Sequence, residues 1–249
     1  IRTIQKDGQI LDMEEGNEEL QKTIWHTTSH IMAQAVQRLF PNVKFAIGPS
    51  IENGFYYDFD VEKPFTDEDK AKIEEEMKKI IKEDIKIERF ALPKREALEL
   101  MKDQPYKQEL INELPEGEEI SFYKQGDFTD LCAGPHLAST GKIKSIKILS
   151  SSGAYWKGSE KNKMLQRIYA ISFPKASELE AYLQLLEEAK QRDHRKIGKD
   201  LELFMTHELV GSGLPMYLPN GYTVWHEFEE YIKNKELNLG YKHVLTPPL

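Results

Sequence analysis

Apolar residues recur at helical spacing from about Glu18 to Phe40, through Ile24, Thr28, Ile31, Ala35 and Leu39, and the pattern stops at Pro41-Asn42. At about 100° per residue His26 and His30 fall opposite that stripe, on the side the pattern turns away from the core. Between 43 and 62, short β-prone runs alternate with Gly48-Pro49 and Asn53-Gly54, which predicts strands or a hairpin ending in Phe55-Tyr56-Tyr57-Asp58-Phe59. Thr66-x-x-Asp69 has the form of a capping box and opens an acidic amphipathic helix to about Glu83, buried through Ile73, Met77, Ile80 and Ile81. Ile85 to Glu88 alternates as a strand, and 94–113 reads as one or two short helices broken at Pro105. Four β-prone segments follow near 120–124, 127–131, 143–149 and 164–173. Antiparallel-type strands mixed with scattered helices define an α+β fold, read here as a two-layer antiparallel sheet with packed helices.

Ala176 to Ile197 is periodic through Leu179, Tyr182, Leu183, Leu186 and Ala189 and then turns basic, as an exposed connecting helix at a domain boundary does. Beyond it, Gly211-x-Gly213-x-Pro215 and Pro219-Asn220-Gly221 read as turns, and Tyr222 to Leu239 as a helix capped by Gly240. Residues 1–19 carry the turn chemistry of Asp7-Gly8 and Glu15-Gly16-Asn17 without a sustained apolar period, and read as a linker or remnant. The expected division is therefore 1–19, 20–175, a linker helix at 176–198, and 199–249 as the opening of a domain too short to hold its own core.

A length of 249 residues suits two modest domains, and 39% hydrophobic against 31% charged residues excludes disorder. No apolar run is long enough for a spanning helix, and Ile1-Arg2-Thr3 is neither a secretory signal nor an initiator start, so a cytoplasmic fragment is expected. The net charge of -8 argues against a broad hold on nucleic acid, yet Lys142 to Lys147 and Gln191 to Lys196 are locally basic. The single cysteine rules out an internal disulfide, so Cys132 is judged by its neighbours.

Those neighbours hold the strongest chemical signal, because His26-Thr27-Thr28-Ser29-His30 and Cys132-Ala133-Gly134-Pro135-His136 each place two soft or borderline donors four residues apart. An i, i+4 pair on a helix aims two imidazoles at one place, and a Cys and a His flanking a Gly-Pro turn converge in a similar way. Three readings fit this spacing: surface histidines with a buried apolar cysteine, a structural zinc site, or a catalytic cleft. Asp130 shares a strand face with Cys132, where it orients a histidine, holds a substrate amine, or is a plain surface carboxylate.

At this point a family resemblance enters. These two motifs, with Gly48-Pro49, Asn53 to Asp58, Gly153-Ala154-Tyr155-Trp156-Lys157-Gly158, Asn162 to Tyr169 and Arg192 to Gly198, closely resemble the bacterial threonyl-tRNA synthetase family from about residue 20 onward. The resemblance implies that 20–175 is that family's editing domain and that 199–249 begins a class II catalytic domain. Gly240-Tyr241-x5-Pro247 looks like the class's first motif, which lies at a homodimer interface. The resemblance also implies roles for single residues. His26, His30, Cys132 and His136 match the editing signature, Lys107 a lysine of the reaction, Asp130 a substrate-binding acid, and Tyr57 and Gly48 the pocket lining. By composition alone Lys107 is an ordinary solvated lysine.

The implied activity is hydrolysis of serine wrongly esterified to threonine-accepting tRNA. His26 and Lys107 would position or deprotonate a water, His136 would assist the departing ribose oxygen, and Asp130 would hold the amine. The implied partner is the tRNA acceptor end, with Arg192, Arg195, Lys196 and Lys199 as either phosphate contacts or solubilising charges. No cofactor is implied for editing, although zinc at the His/Cys cluster stays open. The whole synthetases use ATP, Mg and Zn, and without the later class II motifs no amino acid activation is expected. Two small departures stand out: Thr27 replaces the usual Ser, and Ala133 replaces a basic residue, which puts one RNA contact in doubt. Trp156 and Tyr155 are candidates for stacking on the terminal adenine, against the commoner fate of burial.

Overall fold

The computed structural model describes residues 17–115, 117–211 and 213–247, together with the backbone of 2–6 and 9–13. The Asp7-Gly8 turn, Glu15-Gly16 and Pro248-Leu249 lie outside the described residues. The chain divides into two compact units, Ile1–Glu180 and Ala181–Leu249.

The first unit contains, in chain order, β1 (Arg2–Lys6), β2 (Gln9–Met13), α1 (Glu18–Leu39), β3 (Lys44–Phe45), β4 (Ser50–Ile51), β5 (Gly54–Asp60) and α2 (Asp67–Glu83). There follow β6 (Ile87–Leu92), α3 (Lys94–Leu100), α4 (Pro105–Glu113), β7 (Ile120–Gln125), β8 (Phe128–Leu131), β9 (His136–Leu137), β10 (Ser145–Tyr155) and β11 (Met164–Phe173). One sheet has the order β10-β11-β5-β3, with β4 beside β5, and a second has the order β6-β7-β8. All of these pairings are antiparallel, as an α+β fold requires.

Helix α1 is the central element. Asn17 caps it by accepting from the backbone N–H of Glu19 and Leu20, and Glu18 and Glu19 complement the positive end of its dipole. It packs on α2 and on β4, β5, β8, β9 and β11, so most residues from Leu20 to Val36 are buried. This corrects the expectation for His30, which is buried, while His26 is only partly so, because neighbouring elements cover the helix on more than one face. The polar residues of this buried helix are satisfied internally. The Trp25 indole N–H donates to the Ser172 carbonyl at 2.9 Å, and the Thr28 hydroxyl lies 2.8 Å from that of Ser172.

Several further expectations change. The capping box at Thr66 and Asp69 forms as read. Residues 1–19 are more than a linker: β1 and β2 pair antiparallel, and β1 pairs with β9 in the register Gln5↔His136. The strand expected at Ile85–Glu88 begins at Ile87, while Lys86 bridges Ser139. Pro105 starts α4, since a proline at the first helical position loses no hydrogen bond. Below β6 and β7, α3 and α4 bury Ala97, Met101 and Ile111 against Ile120 and Phe122.

The second unit holds most of α5 (Ala176–Gln191), then α6 (His194–Asp200), β12 (Phe204–Met205), β13 (Met216–Tyr217) and α7 (Pro219–Asn238). The single connecting helix expected over 176–198 is interrupted at Arg192-Asp193, because the Asp193 side chain accepts from the Arg195 N–H and starts a new helix. Pro219-Asn220-Gly221, read as a turn, is the first turn of α7. Gly221 is needed there, since a Cβ would meet the backbone of Leu203. Among the described residues no helix is long and apolar enough to cross a membrane.

Candidate active site

The structure brings His26, His30, Cys132 and His136 together. Their ligand atoms all lie within 4.8 Å of one another. His26 and His30 project one turn apart from α1, Cys132 follows β8, and His136 opens β9 after a reversal through Gly134-Pro135. The reversal requires a glycine: Gly134 has φ +81°, and a Cβ there would strike the Tyr123 hydroxyl. Cys132 Sγ sits 3.3 Å from His26 Nε2 and 3.1 Å from His136 Nε2, and accepts the Gly134 N–H at 3.1 Å.

Beneath this cluster lies a buried ionic group. The Lys107 ammonium on α4 is 2.6 Å from Asp130 Oδ1, and the Tyr57 hydroxyl on β5 donates to Asp130 Oδ2 at 2.6 Å. His30 Nε2 stands 3.8 Å from the same carboxylate oxygen. Lys107 and Asp130 are each 3% exposed, which removes the ordinary solvated reading of both residues. His30, His136 and Tyr57 are also buried, whereas His26, Cys132 and Gly48 are partly exposed. The site therefore has a charged floor and an accessible mouth.

Burial sets the protonation of the cluster. It lowers His26 to about 4 and His30 to about 3, with the Asp130 charge opposing in each case, and holds His136 well below its ordinary range. These imidazoles are neutral at pH 7. Burial also pushes the Cys132 thiol up to about 12 and the Tyr57 phenol well above its usual value. Burial alone would raise Asp130, but the Lys107 charge and the hydrogen bonds from Lys107 and Tyr57 hold it below the usual carboxylate value. Floor and mouth thus combine a fixed ion pair with neutral bases, a division suited to acid–base chemistry.

Gly48 is fitted against this floor. Its carbonyl accepts the Ser29 hydroxyl at 2.7 Å, and a Cβ at Gly48 would overlap the Tyr57 ring at Cδ2. Gly48→Ala is expected to displace that ring from Asp130 and to cost about 1–3 kcal/mol in urea unfolding. Unchanged stability together with an unchanged Tyr57 hydroxyl environment would contradict the fit.

The donor set also fits a metal. Three imidazoles and a thiol are a donor set of the kind that zinc takes, and His26, His30, Cys132 and His136 would be the ligands. When bound, such an ion would polarise a carbonyl or lower the pKa of a water.

Other predicted residues lie elsewhere. Arg192, Arg195, Lys196 and Lys199 are exposed in the second unit. Arg195 is held by Asp193 at 2.9 Å and Arg192 approaches Glu188 at 3.6 Å, so two of the four already have carboxylate partners. Trp156 is buried, stacks edge-on to Tyr106 and donates to Glu109 at 3.0 Å, which excludes it from stacking on a base. Sequence reasoning missed the roles of Ser29 and Thr27. The hydroxyl of Thr27, fully buried, lies 3.2 Å from His136 Nδ1 and accepts the Leu137 N–H at 3.0 Å.

Comparison with known proteins identifies relatives of this chain. Residues 120–169 match the family described as the threonyl and alanyl tRNA synthetase second additional domain, the stretch that carries Asp130, Cys132 and His136. Residues 120–169 are thus similar to a tRNA synthetase additional domain. The chain is 60% identical over 246 residues, 98% of its length, to a threonine–tRNA ligase of Caldanaerobacter subterraneus subsp. tengcongensis, and spans 38% of that protein. It is 62% identical over 224 residues to the threonine–tRNA ligase of Acetivibrio thermocellus, covering 89% of this chain and 35% of that one. A third relative, the threonine–tRNA ligase of Staphylococcus aureus, is 52% identical over 248 residues and 38% covered. The chain belongs to the threonyl-tRNA synthetase family and spans a little over a third of the length of these relatives.

Proposed function

We propose that the first unit is a proofreading hydrolase that releases serine from wrongly charged threonine tRNA. The observation that carries this reading is the stacking of a partly exposed His26–Cys132 mouth on a buried Lys107–Asp130–Tyr57 floor. Serine lacks one methyl of threonine, and binding discriminates a group of that size by only about 1–3 kcal/mol. A second pocket that admits serine and hydrolyses its ester supplies the missing selectivity.

In this mechanism Asp130 retains acceptor capacity beside Lys107 and Tyr57, and takes the serine ammonium. Lys107 keeps donors for the ester carbonyl or the attacking water. The neutral His26 takes a proton from that water as its oxygen attacks the carbonyl carbon. The C–O bond to the ribose then breaks, with His136 assisting the departing oxygen through Cys132 Sγ, 3.1 Å from its Nε2. The proton removed from water ends on that oxygen through the imidazoles, leaving the cluster neutral. The catalytic residues so assigned are His26, Lys107 and His136, with Cys132 hydrogen-bonded between the two histidines and His30 packed against both rings beside Asp130. No step requires an ion.

The proposed partner is the acceptor end of threonine tRNA. Residues 199–249 are proposed as the opening of a class II catalytic domain that attaches threonine with ATP and pairs in a homodimer, as part of a cytoplasmic enzyme. A second reading, structural zinc without catalysis, has the convergence of four donors in its favour. Stoichiometric zinc whose removal unfolds the chain would support it.

A non-hydrolysable amide analogue of seryl-adenosine tests the assignment. Its binding is expected to shift the ring resonances of His26 and His136, and to weaken about tenfold or more in Asp130→Asn. No binding, or shifts confined to other histidines, would overturn it.

A further inference from the structure

The Thr27 hydroxyl sits at one end of a chain of hydrogen bonds that crosses the site. It accepts the backbone N–H of Leu137 at 3.0 Å and lies 3.2 Å from His136 Nδ1, and Thr27 is fully buried. A hydroxyl has one hydrogen to give. The neighbouring Thr23 and Thr28 spend theirs on carbonyls one turn back in α1, at 2.8 and 2.7 Å, whereas the acceptor within reach of Thr27 is the His136 ring nitrogen. With Leu137 occupying a lone pair as a fixed donor, the Thr27 hydrogen points to Nδ1.

That direction propagates. A neutral imidazole that accepts at Nδ1 carries its proton on Nε2. His136 Nε2 is 3.1 Å from Cys132 Sγ, so its N–H donates to sulfur. The thiol hydrogen is then free to point at His26 Nε2, 3.3 Å away, which remains unprotonated. The same sulfur is fixed from a third side by the Gly134 N–H. The Thr27 hydroxyl thereby makes His136 a donor toward the sulfur, and the backbone of Pro135, which hydrogen-bonds His26, supports the complementary state in which His26 Nε2 accepts.

We propose that Thr27 is a positioning residue that sets the tautomers of this cluster, holding His136 as its Nε2–H form and leaving His26 Nε2 as the base. The catalytic consequence rests on the hydrolytic reading above, while the tautomer assignment stands on the hydrogen-bond geometry. Thr27→Ser keeps the hydroxyl and hence the direction of the chain. Thr27→Val keeps the shape and removes both the donor and the acceptor for Leu137.

Histidine ring ¹⁵N–¹H correlation spectra of the chelator-treated protein test this directly. The wild type is expected to show His136 protonated at Nε2 and His26 unprotonated at Nε2, with Thr27→Ser unchanged. In Thr27→Val the His136 signals should move to the other tautomer or to a mixture. For seryl ester hydrolysis kcat should fall about 10–100-fold with little change in KM, and Thr27→Ser should retain most of the rate. A wild-type His136 protonated at Nδ1 would overturn the proposal even if Thr27→Val failed to fold. So would a folded Thr27→Val that kept the wild-type tautomer. A wild type with the expected spectrum but no hydrolysis would overturn the functional reading and leave the tautomer assignment supported.

Discussion

Replacing Lys107 with Ala is expected to reduce seryl ester hydrolysis by at least about 100-fold, the usual effect of removing a group that acts on the transferred proton or the attacked carbonyl. The substitution also strands Asp130, buried and 2.6 Å from the lost ammonium. Breaking a buried pair from one side costs about 3–5 kcal/mol, so stability and rate must be separated. The paired variant Lys107→Met with Asp130→Asn removes both charges together and keeps an acceptor for the Tyr57 hydroxyl. It should recover most of the stability and none of the hydrolysis. Hydrolysis near the wild-type rate in Lys107→Ala would remove this lysine from the reaction.

The second large effect is on stability in mild acid. In the unfolded chain each histidine titrates near 6.5, whereas in the fold His26 titrates near 4, His30 near 3, and His136 well below its ordinary value. Between pH 6.5 and about 4 the unfolded state therefore binds protons that the folded state refuses. The stability conferred by keeping these rings neutral is complete above 6.5 and is lost as pH falls through that window. Each ring contributes up to about 1.4 kcal/mol per pH unit. Asp130 is held below 3.8, so its own loss falls at lower pH and does not confuse the measurement. Urea midpoints from pH 7 to 4.5, with chelator present, should drop steeply and less so in His30→Gln. A flat profile would mean that the imidazoles are not buried as neutral groups.

Much of the first unit is legible in the chain. The capping box at Thr66, the breaks at Pro41 and Pro105, and the β-prone run around Tyr57 depend on local chemistry, and each appears close to its expected place. The spacing of the two five-residue motifs left convergence as one of several readings, and the structure brings their four donor side chains together. What spacing could not show is which side of α1 is covered. A 100° stripe assumes one buried face, but no charged residue occurs from Thr23 to Gln37, and that absence was the available sign of burial on all sides.

Lys107 shows the other limit. Nothing local distinguishes it from a solvated lysine on a short helix. Its burial arises from Asp130 and Tyr57, which come from strands distant in sequence. The antiparallel pairing of β1 with β2 was similarly hidden, because these short strands carry no long apolar period and β1 finds its second partner at His136–Leu137. The interruption at Asp193 was readable in retrospect, since Asp followed by a basic run is helix-start chemistry inside an apparently continuous helix.

The most direct measurement follows the release of amino acid from serine-charged and threonine-charged threonine tRNA over time, with and without chelator. The arrangement of His26, Lys107, Asp130 and His136 predicts rapid loss of serine, retention of threonine, and no effect of the chelator. Persistence of the seryl ester, or equal loss of both amino acids, would contradict a selective hydrolytic cleft.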